Sequence, residues 1–170
     1  MRLLSWVASP RKKTKPSSWI LSIASHYCID RLRRRHGETL SLDEIPPISQ
    51  NVATYKYGDD LFDEVNSIEA NGDFLGEYGV AIADATGVGG PKKVSAFEVW
   101  LFDKGDIPTT TKVLMIPQAF EDSAKREKLK TKGEPVLADL NRPVDLQTKN
   151  LHLRAQIVSM DPAQGAAGWG

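Results

Sequence analysis

The stretch Leu151-His152-Leu153-Arg154-Ala155-Gln156-Ile157-Val158 decides the fold class of this chain. Apolar residues alternate with polar residues along it, and successive side chains of a strand point to opposite faces. One face of this strand is therefore predicted to be buried and the other to be wet. That combination is typical of antiparallel sheets.

Further strands are predicted upstream of this one. The most apolar runs from Val94 to Phe102, and we predict a central strand there with a buried Trp100. Residues 117–130 have helical spacing instead and begin with Pro117, a residue favoured in a first turn. The remaining predicted strands are Val52–Tyr57, Phe74–Ala83, Lys112–Ile116, Val136–Ala138 and Val144–Leu146.

This order of elements predicts a mainly β domain over residues 52–160. Several short strands with turns between them and one short helix favour an antiparallel β-sandwich or a partly open barrel. Residues 161–170 are rich in glycine and alanine, and we expect a flexible tail.

The residues before this domain have a different character. Residues 1–36 contain nine Lys/Arg against Asp30 alone, a net charge of +8, and the other 13 basic and 21 acidic residues give −8. Such asymmetry suggests two separate roles, with the basic end meeting a polyanion, although a solvated basic tail would have the same charge. We predict a basic arm over residues 1–15.

Residues 16–36 are predicted to form a separate basic helix. At helical spacing Trp19, Ile23 and Tyr27 fall on one side, as in an amphipathic helix. Ser17 or Ser18 can cap its start and Gly37 can end it. Residues 37–51, with two prolines, are predicted to be a linker.

The stretch PSSWILSIASHYCIDRLRRR (residues 16–35), followed by SLDE (41–44), resembles the end of region 2 of extracytoplasmic-function sigma-70 factors. The resemblance implies a helix against promoter DNA. The arginines would neutralise phosphates, and the polar face would touch an unstacked base. Earlier helices of region 2 and the second DNA-binding domain of that family have no counterpart here. The DNA-binding residues it implies are Ser22, His26, Arg31, Arg33, Arg34 and Arg35.

Residues 46–160 resemble an uncharacterised bacterial β-rich family. The resemblance rests on PPISQ (46–50), GDDxFD (58–63), GxFLGE (72–77) and KVxAFEVWLFDK (93–104). Tyr78 stands where that pattern has Cys, and Val65-Asn66 departs from its Ser-Phe pair. The resemblance supports the domain boundary and implies no activity.

The sequence contains few candidate catalytic or metal-binding motifs. The acidic group Asp59, Asp60, Asp63 and Glu64 is favoured as a solvated turn rather than as a calcium site. The glycine-rich loop 87–93 is favoured as a hairpin loop rather than as a phosphate site. Alternation puts Glu98 on the exposed face of its strand, and His152 on a wet face. We therefore predict no enzymatic activity, no catalytic residue, no cofactor and no metal.

The sequence thus predicts a non-enzymatic, transcription-related, DNA-associated protein with a truncated sigma-like DNA-binding helix fused to a β-rich partner-binding domain. DNA binding would be weak and salt-dependent, and RNA polymerase or another protein would be the second partner. The alternative is a protein-interaction β module whose N-terminal helix is a docking element or a relic. A single cysteine and no long apolar run favour a cytoplasmic protein without membrane partners.

Overall fold

The computed structural model describes the backbone of residues 18–27 and the whole of residues 47–160. Within these residues the chain is mainly β, with two open sheets and two short helices. The helices are α1 (Pro117–Glu121) and α2 (Ser123–Leu129). The strands are β1 (Ser18–Tyr27), β2 (Ser49–Lys56), β3 (Asp63–Ala70), β4 (Asp73–Thr86), β5 (Lys93–Asp103), β6 (Thr110–Met115), β7 (Glu134–Leu137), β8 (Pro143–Gln147) and β9 (Leu151–Met160).

The two sheets have the strand orders β2-β1-β9-β8 and β3-β4-β5-β6-β7. Neighbouring strands are antiparallel except for β6 and β7, which are parallel. A parallel pair needs a crossover connection, and α1 and α2 supply it. β5 lies in the middle of the five-stranded sheet, as its apolar sequence predicted.

One hydrophobic core lies between the two sheets. Phe97 of β5 packs edge-on against Tyr55 of β2 and against Phe62, with ring centroids 5.1 and 5.9 Å apart. The apolar side chains of β9 are buried in the same cluster, which confirms the alternation that predicted this strand. Two open sheets with a shared core are consistent with the predicted β-sandwich, and they do not close into a barrel.

The predicted helix over residues 117–130 is present as two pieces. Asp122 separates them, because its carboxylate accepts hydrogen bonds from the backbone N–H groups of Ala124 and Lys125 and so caps α2. Ala119 and Leu129 bury against Val113 and other apolar residues on the outer face of the five-stranded sheet. The helices therefore cover part of that face.

The predicted N-terminal helix requires a correction over residues 18–27. These residues form β1, which pairs antiparallel with β2 on one side and β9 on the other. The aromatic and β-branched residues that gave a helical periodicity, such as Trp19, Ile20 and Ile23, also favour strands. Long-range pairing with two strand edges outweighs a local helical pattern. The rest of the predicted helix, residues 16–17 and 28–36, lies outside the described residues.

The predicted domain boundary also differs from the observed strands. β2 begins at Ser49, so the last three residues of the predicted 37–51 linker belong to the sheet. The basic arm, residues 37–46 of that linker and the 161–170 tail lie outside the described residues. Because β1 lies between β2 and β9, residues 18–27 are part of the β-rich fold rather than a separate unit.

A buried carboxylate joins the end of β5 to the turn between β8 and β9. Asp103 is 2% exposed and accepts hydrogen bonds from the Thr148 hydroxyl at 2.8 Å, the Asn150 backbone N–H at 2.9 Å, the Asn150 side-chain amide, and the Gly105 N–H at 2.8 Å. Burial by itself would raise the pKa of Asp103, but these hydrogen bonds outweigh it and lower the pKa. The carboxylate thus ties the two sheets together.

We predict that Asp103→Asn lowers the free energy of unfolding by about 1–3 kcal/mol, because an amide group cannot accept from every donor that surrounds the carboxylate. Urea denaturation at neutral pH measures the change. The exposed Asp73 provides the control, since Asp73→Asn removes the same charge without buried partners. Equal effects of the two changes would contradict the role given to Asp103.

The same substitution should change the dependence of stability on pH. A folded-state pKa below the unfolded value stabilises the fold above about pH 4, and this contribution is lost as the pH falls through the folded-state pKa. The wild-type protein should therefore lose more stability than Asp103→Asn over that acidic interval.

Candidate protein-binding face

The alternation of β5 puts two sets of large side chains on opposite faces of the five-stranded sheet. Phe97, Val99 and Leu101 are fully buried in the core between the sheets. Successive residues of a strand point to opposite faces, so Glu98, Trp100 and Phe102 belong to the outer face. Trp100 and Phe102 are both half-buried there. The outer face therefore carries two large aromatic side chains.

Strand register extends this outer face across β3, β4 and β5. Directly opposed residues on paired strands share a face. Three rows of opposed residues result, which are Asp63–Ala81–Glu98, Val65–Gly79–Trp100 and Ser67–Glu77–Phe102. We call these nine positions the outer patch. Its middle row is apolar, and each of the other two rows contains at least one carboxylate.

The helices leave the outer patch largely uncovered. α1 and α2 pack on Ala96, Val113 and Met115, which lie toward the other end of the same face and toward β6. Val65, in the middle row of the outer patch, is 54% exposed. An apolar row with an exposed valine and a half-buried tryptophan on a sheet face is a candidate interaction surface.

Gly79 determines how Trp100 lies on the sheet. A Cβ atom at Gly79 would come within 2.6 Å of the indole ring and within 2.6 Å of the Glu64 carbonyl oxygen. Only glycine therefore lets the ring lie against the backbone of β4. The indole lies against Gly79, which is buried, while Trp100 itself is only half-buried on the outer face. This corrects the prediction that Trp100 is a buried core residue.

Charges on the outer patch are all negative. None of its nine positions carries Lys or Arg, while Asp63, Glu77 and Glu98 are carboxylates. Lys132 approaches Glu98 at 3.6 Å from the segment after α2. Asp63 and Glu77 form no ion pair with any described residue. Two of the three carboxylates of the outer patch are thus without an ion pair among the described residues.

The chain around the outer patch strengthens this negative charge. Between residues 57 and 91 there are no Lys or Arg residues and eight acidic ones, so this segment accounts for a net charge of −8. Most of it is β3, β4 and the turn before them. Asp84, at the far end of β4, has cationic neighbours in Lys125 and Lys128 of α2, at 3.8 and 3.6 Å. The acidic residues of this segment that have no ion pair among the described residues therefore lie in β3, in the first half of β4 and in the turn before β3.

The residues predicted to bind DNA are placed only in part. Ser22 and His26 lie in β1, where Ser22 is opposite Val52 and Gln156, and His26 is opposite His152. The four arginines of the set, Arg31, Arg33, Arg34 and Arg35, lie outside the described residues. The structure therefore does not test the predicted DNA-binding set, which remains a prediction.

A second polar cluster lies on β8 and β9. The Asp145 carboxylate accepts a hydrogen bond from Arg154 Nε at 2.9 Å and lies 3.1 Å from His152 Nε2. Burial would raise the pKa of Asp145, but the hydrogen bonds from Arg154 and His152 lower it. His152 lies on the face of its strand away from the core, but its side chain is only 13% exposed, whereas the alternation predicted a surface residue. The three side chains satisfy one another and cross-link two strands of the four-stranded sheet.

The motifs that were weighed as ligand sites have structural roles. The loop 87–92 connects β4 and β5 as a hairpin, with Thr86 paired to Lys93. Asp60 accepts a hydrogen bond from the Lys92 backbone N–H, which ties the acidic turn to this hairpin. Within residues 47–160 no three metal-ligating side chains come together. Neither helix in the described part of the chain has the length and hydrophobicity to cross a membrane.

Comparison with known proteins adds no relative. No protein-family model, no curated protein and no solved structure matches this chain. A function for this chain must therefore be inferred from the geometry of the described residues.

We predict that Phe97→Ala destabilises the protein far more than Trp100→Ala. Phe97 is fully buried between two rings, and truncating such a residue costs about 3–5 kcal/mol. Trp100 is half-buried, so its loss should cost about 1–2 kcal/mol. Chemical denaturation of both variants measures the difference. An equal cost would place Trp100 in the core and remove it from the outer patch.

Proposed function

We propose that this chain is a non-enzymatic protein-interaction module that binds its partner through the outer patch. The observation that supports this most is the apolar middle row, in which the half-buried Trp100 lies over Gly79 beside the exposed Val65. Large aromatic side chains dominate the binding energy of protein interfaces, and they do so from half-covered positions of this kind. Cytoplasmic localisation, suggested by the single cysteine, belongs to the same proposal.

Other features of the fold support an interaction role over a catalytic one. The two carboxylates in β5 are engaged: Asp103 is surrounded by four donors, and Glu98 is paired with Lys132. A general acid or base needs a carboxylate that can exchange its proton with a substrate. The placement of residues 18–27 within the sheet favours the predicted interaction module over a detached DNA-reading helix.

A selection from a random peptide library displayed on phage tests this proposal without assuming the partner's chemistry. The full chain and the Trp100→Ala variant are used as baits in parallel. We expect peptides that are enriched by the full chain and lost with Trp100→Ala, because the indole supplies the central contact. Binders retained by both baits, or no enrichment above an uncoated surface, would contradict the proposal.

DNA association remains a second candidate function because of the charge of the N-terminal residues. Residues 1–36 have a net charge of +8, and four arginines fall within Arg31–Arg35. Basic segments of this density bind nucleic acid in a sequence-independent way, with an affinity that falls as salt rises. The resemblance to the sigma-factor segment supports single-stranded promoter DNA, with RNA polymerase as a possible further partner.

Fluorescence anisotropy of a labelled promoter strand across a salt series tests this second candidate. Each phosphate contact contributes about 0.7 log units to the salt dependence for a single strand. Changing Arg33, Arg34 and Arg35 together to Ala should flatten the slope by about 2 log units per log unit of salt. An unchanged slope would leave the arginines without a role in DNA binding.

A further inference from the structure

The outer patch combines an aromatic ring with carboxylates on both sides. Glu77 is diagonal to Trp100 across the β4–β5 pair, and Glu98 precedes Trp100 by two residues on the same face. Diagonal neighbours of this kind lie about 7–8 Å apart, which is within reach of a long side chain placed between them. Asp63 completes the rim on β3. A cation above the ring would therefore meet negative charge on more than one side.

We infer that the outer patch binds a Lys/Arg-rich segment of a partner protein, with one cationic side chain of that segment over the Trp100 ring. This inference rests on the proposed function and names its partner class. The outward face of an indole attracts a guanidinium or ammonium group, because the ring has negative charge above its plane. Asp63 and Glu77, which form no ion pair with any described residue, supply the ion pairs to the partner.

Charge complementarity selects this occupant over a neutral or acidic one. The segment 57–91 contributes eight negative charges and no positive charge, and it forms two of the three strands under the outer patch. An acidic partner would meet repulsion across the whole surface. A cationic partner would be attracted over a distance of about 10 Å at ordinary ionic strength, which also speeds its association.

The basic arm of this chain is the competing occupant. Its residues Arg11 to Lys15 precede β1, whose first residue Ser18 is opposite Lys56. Ser18 thus lies in the four-stranded sheet, whereas the outer patch is the far face of the other sheet. Two packed sheets are about 10 Å apart, and the arm would have to pass around the sandwich. The position of Ser18 therefore favours an external partner.

Fluorescence anisotropy of three labelled peptides tests the inference on the full chain. The first peptide is rich in Lys and Arg, and the second and third have Gln or Glu at each cationic position. We expect the cationic peptide to bind, the Gln peptide to bind about tenfold more weakly or not at all, and the Glu peptide not to bind. Binding of the cationic peptide should weaken as salt rises.

Variants locate the binding site. We expect the double variant Asp63→Asn with Glu77→Gln to bind the cationic peptide about five- to tenfold more weakly. Trp100→Ala should weaken binding by the same factor, whereas Trp100→Phe should keep much of the affinity. Glu121→Gln on α1 removes one exposed charge away from the outer patch and should change nothing. The carboxylate double variant alters exposed or half-exposed side chains, so it remains informative if Trp100→Ala does not fold.

The outcomes separate this inference from the proposed function. Equal binding of the cationic and Gln peptides, lost with Trp100→Ala, would overturn the cationic partner and leave the interaction module in place. Binding that appears only after Arg11, Lys12, Lys13 and Lys15 are changed together to Ala would identify the chain's own arm as the occupant and overturn an external partner. Cationic binding that survives both outer-patch variants would overturn the site.

Discussion

The alternation of side chains along β5 is the constraint on which the rest of the structure depends. Phe97, Val99 and Leu101 fill the core between the sheets, and this leaves Trp100 and Phe102 no position except the outer face. An aromatic ring on that face needs a flat backbone beneath it, and Gly79 provides one. The same register that builds the core therefore builds the outer patch.

Much of the fold followed from local sequence pattern, and the exceptions have physical causes. The strongly alternating β9 and the apolar β5 were predicted close to their observed bounds. β3 was missed because Asp63–Ala70 is an edge strand with few apolar residues, so it lacks a hydrophobic period. β1 was predicted to be helical because its apolar residues fit the helical period as well as the strand period. Its pairing with β2 and β9 is a long-range property that a local pattern does not contain.

The candidate site was less predictable than the fold. Sequence reasoning noticed Trp100 but assigned it to the core, since the strand is apolar on both faces. The signal that could have corrected this is the pairing of Trp100 with Gly79, which requires strand register. The charge asymmetry was visible from the sequence. The acidic residues between positions 57 and 91 indicate a binding site only when the strand register places β3 and β4 beside Trp100.

The central claim is that Trp100 lies half-buried, and still accessible to solvent, in a negative environment on the outer face. The most direct measurement is fluorescence quenching of a variant in which Trp6, Trp19 and Trp169 are changed to Phe, so that Trp100 alone emits. A caesium ion should quench this emission more effectively than iodide, and Asp63→Asn with Glu77→Gln should reduce the difference, because the carboxylates attract the cation. Emission that neither ion quenches, as expected for an indole in the core, would contradict the account.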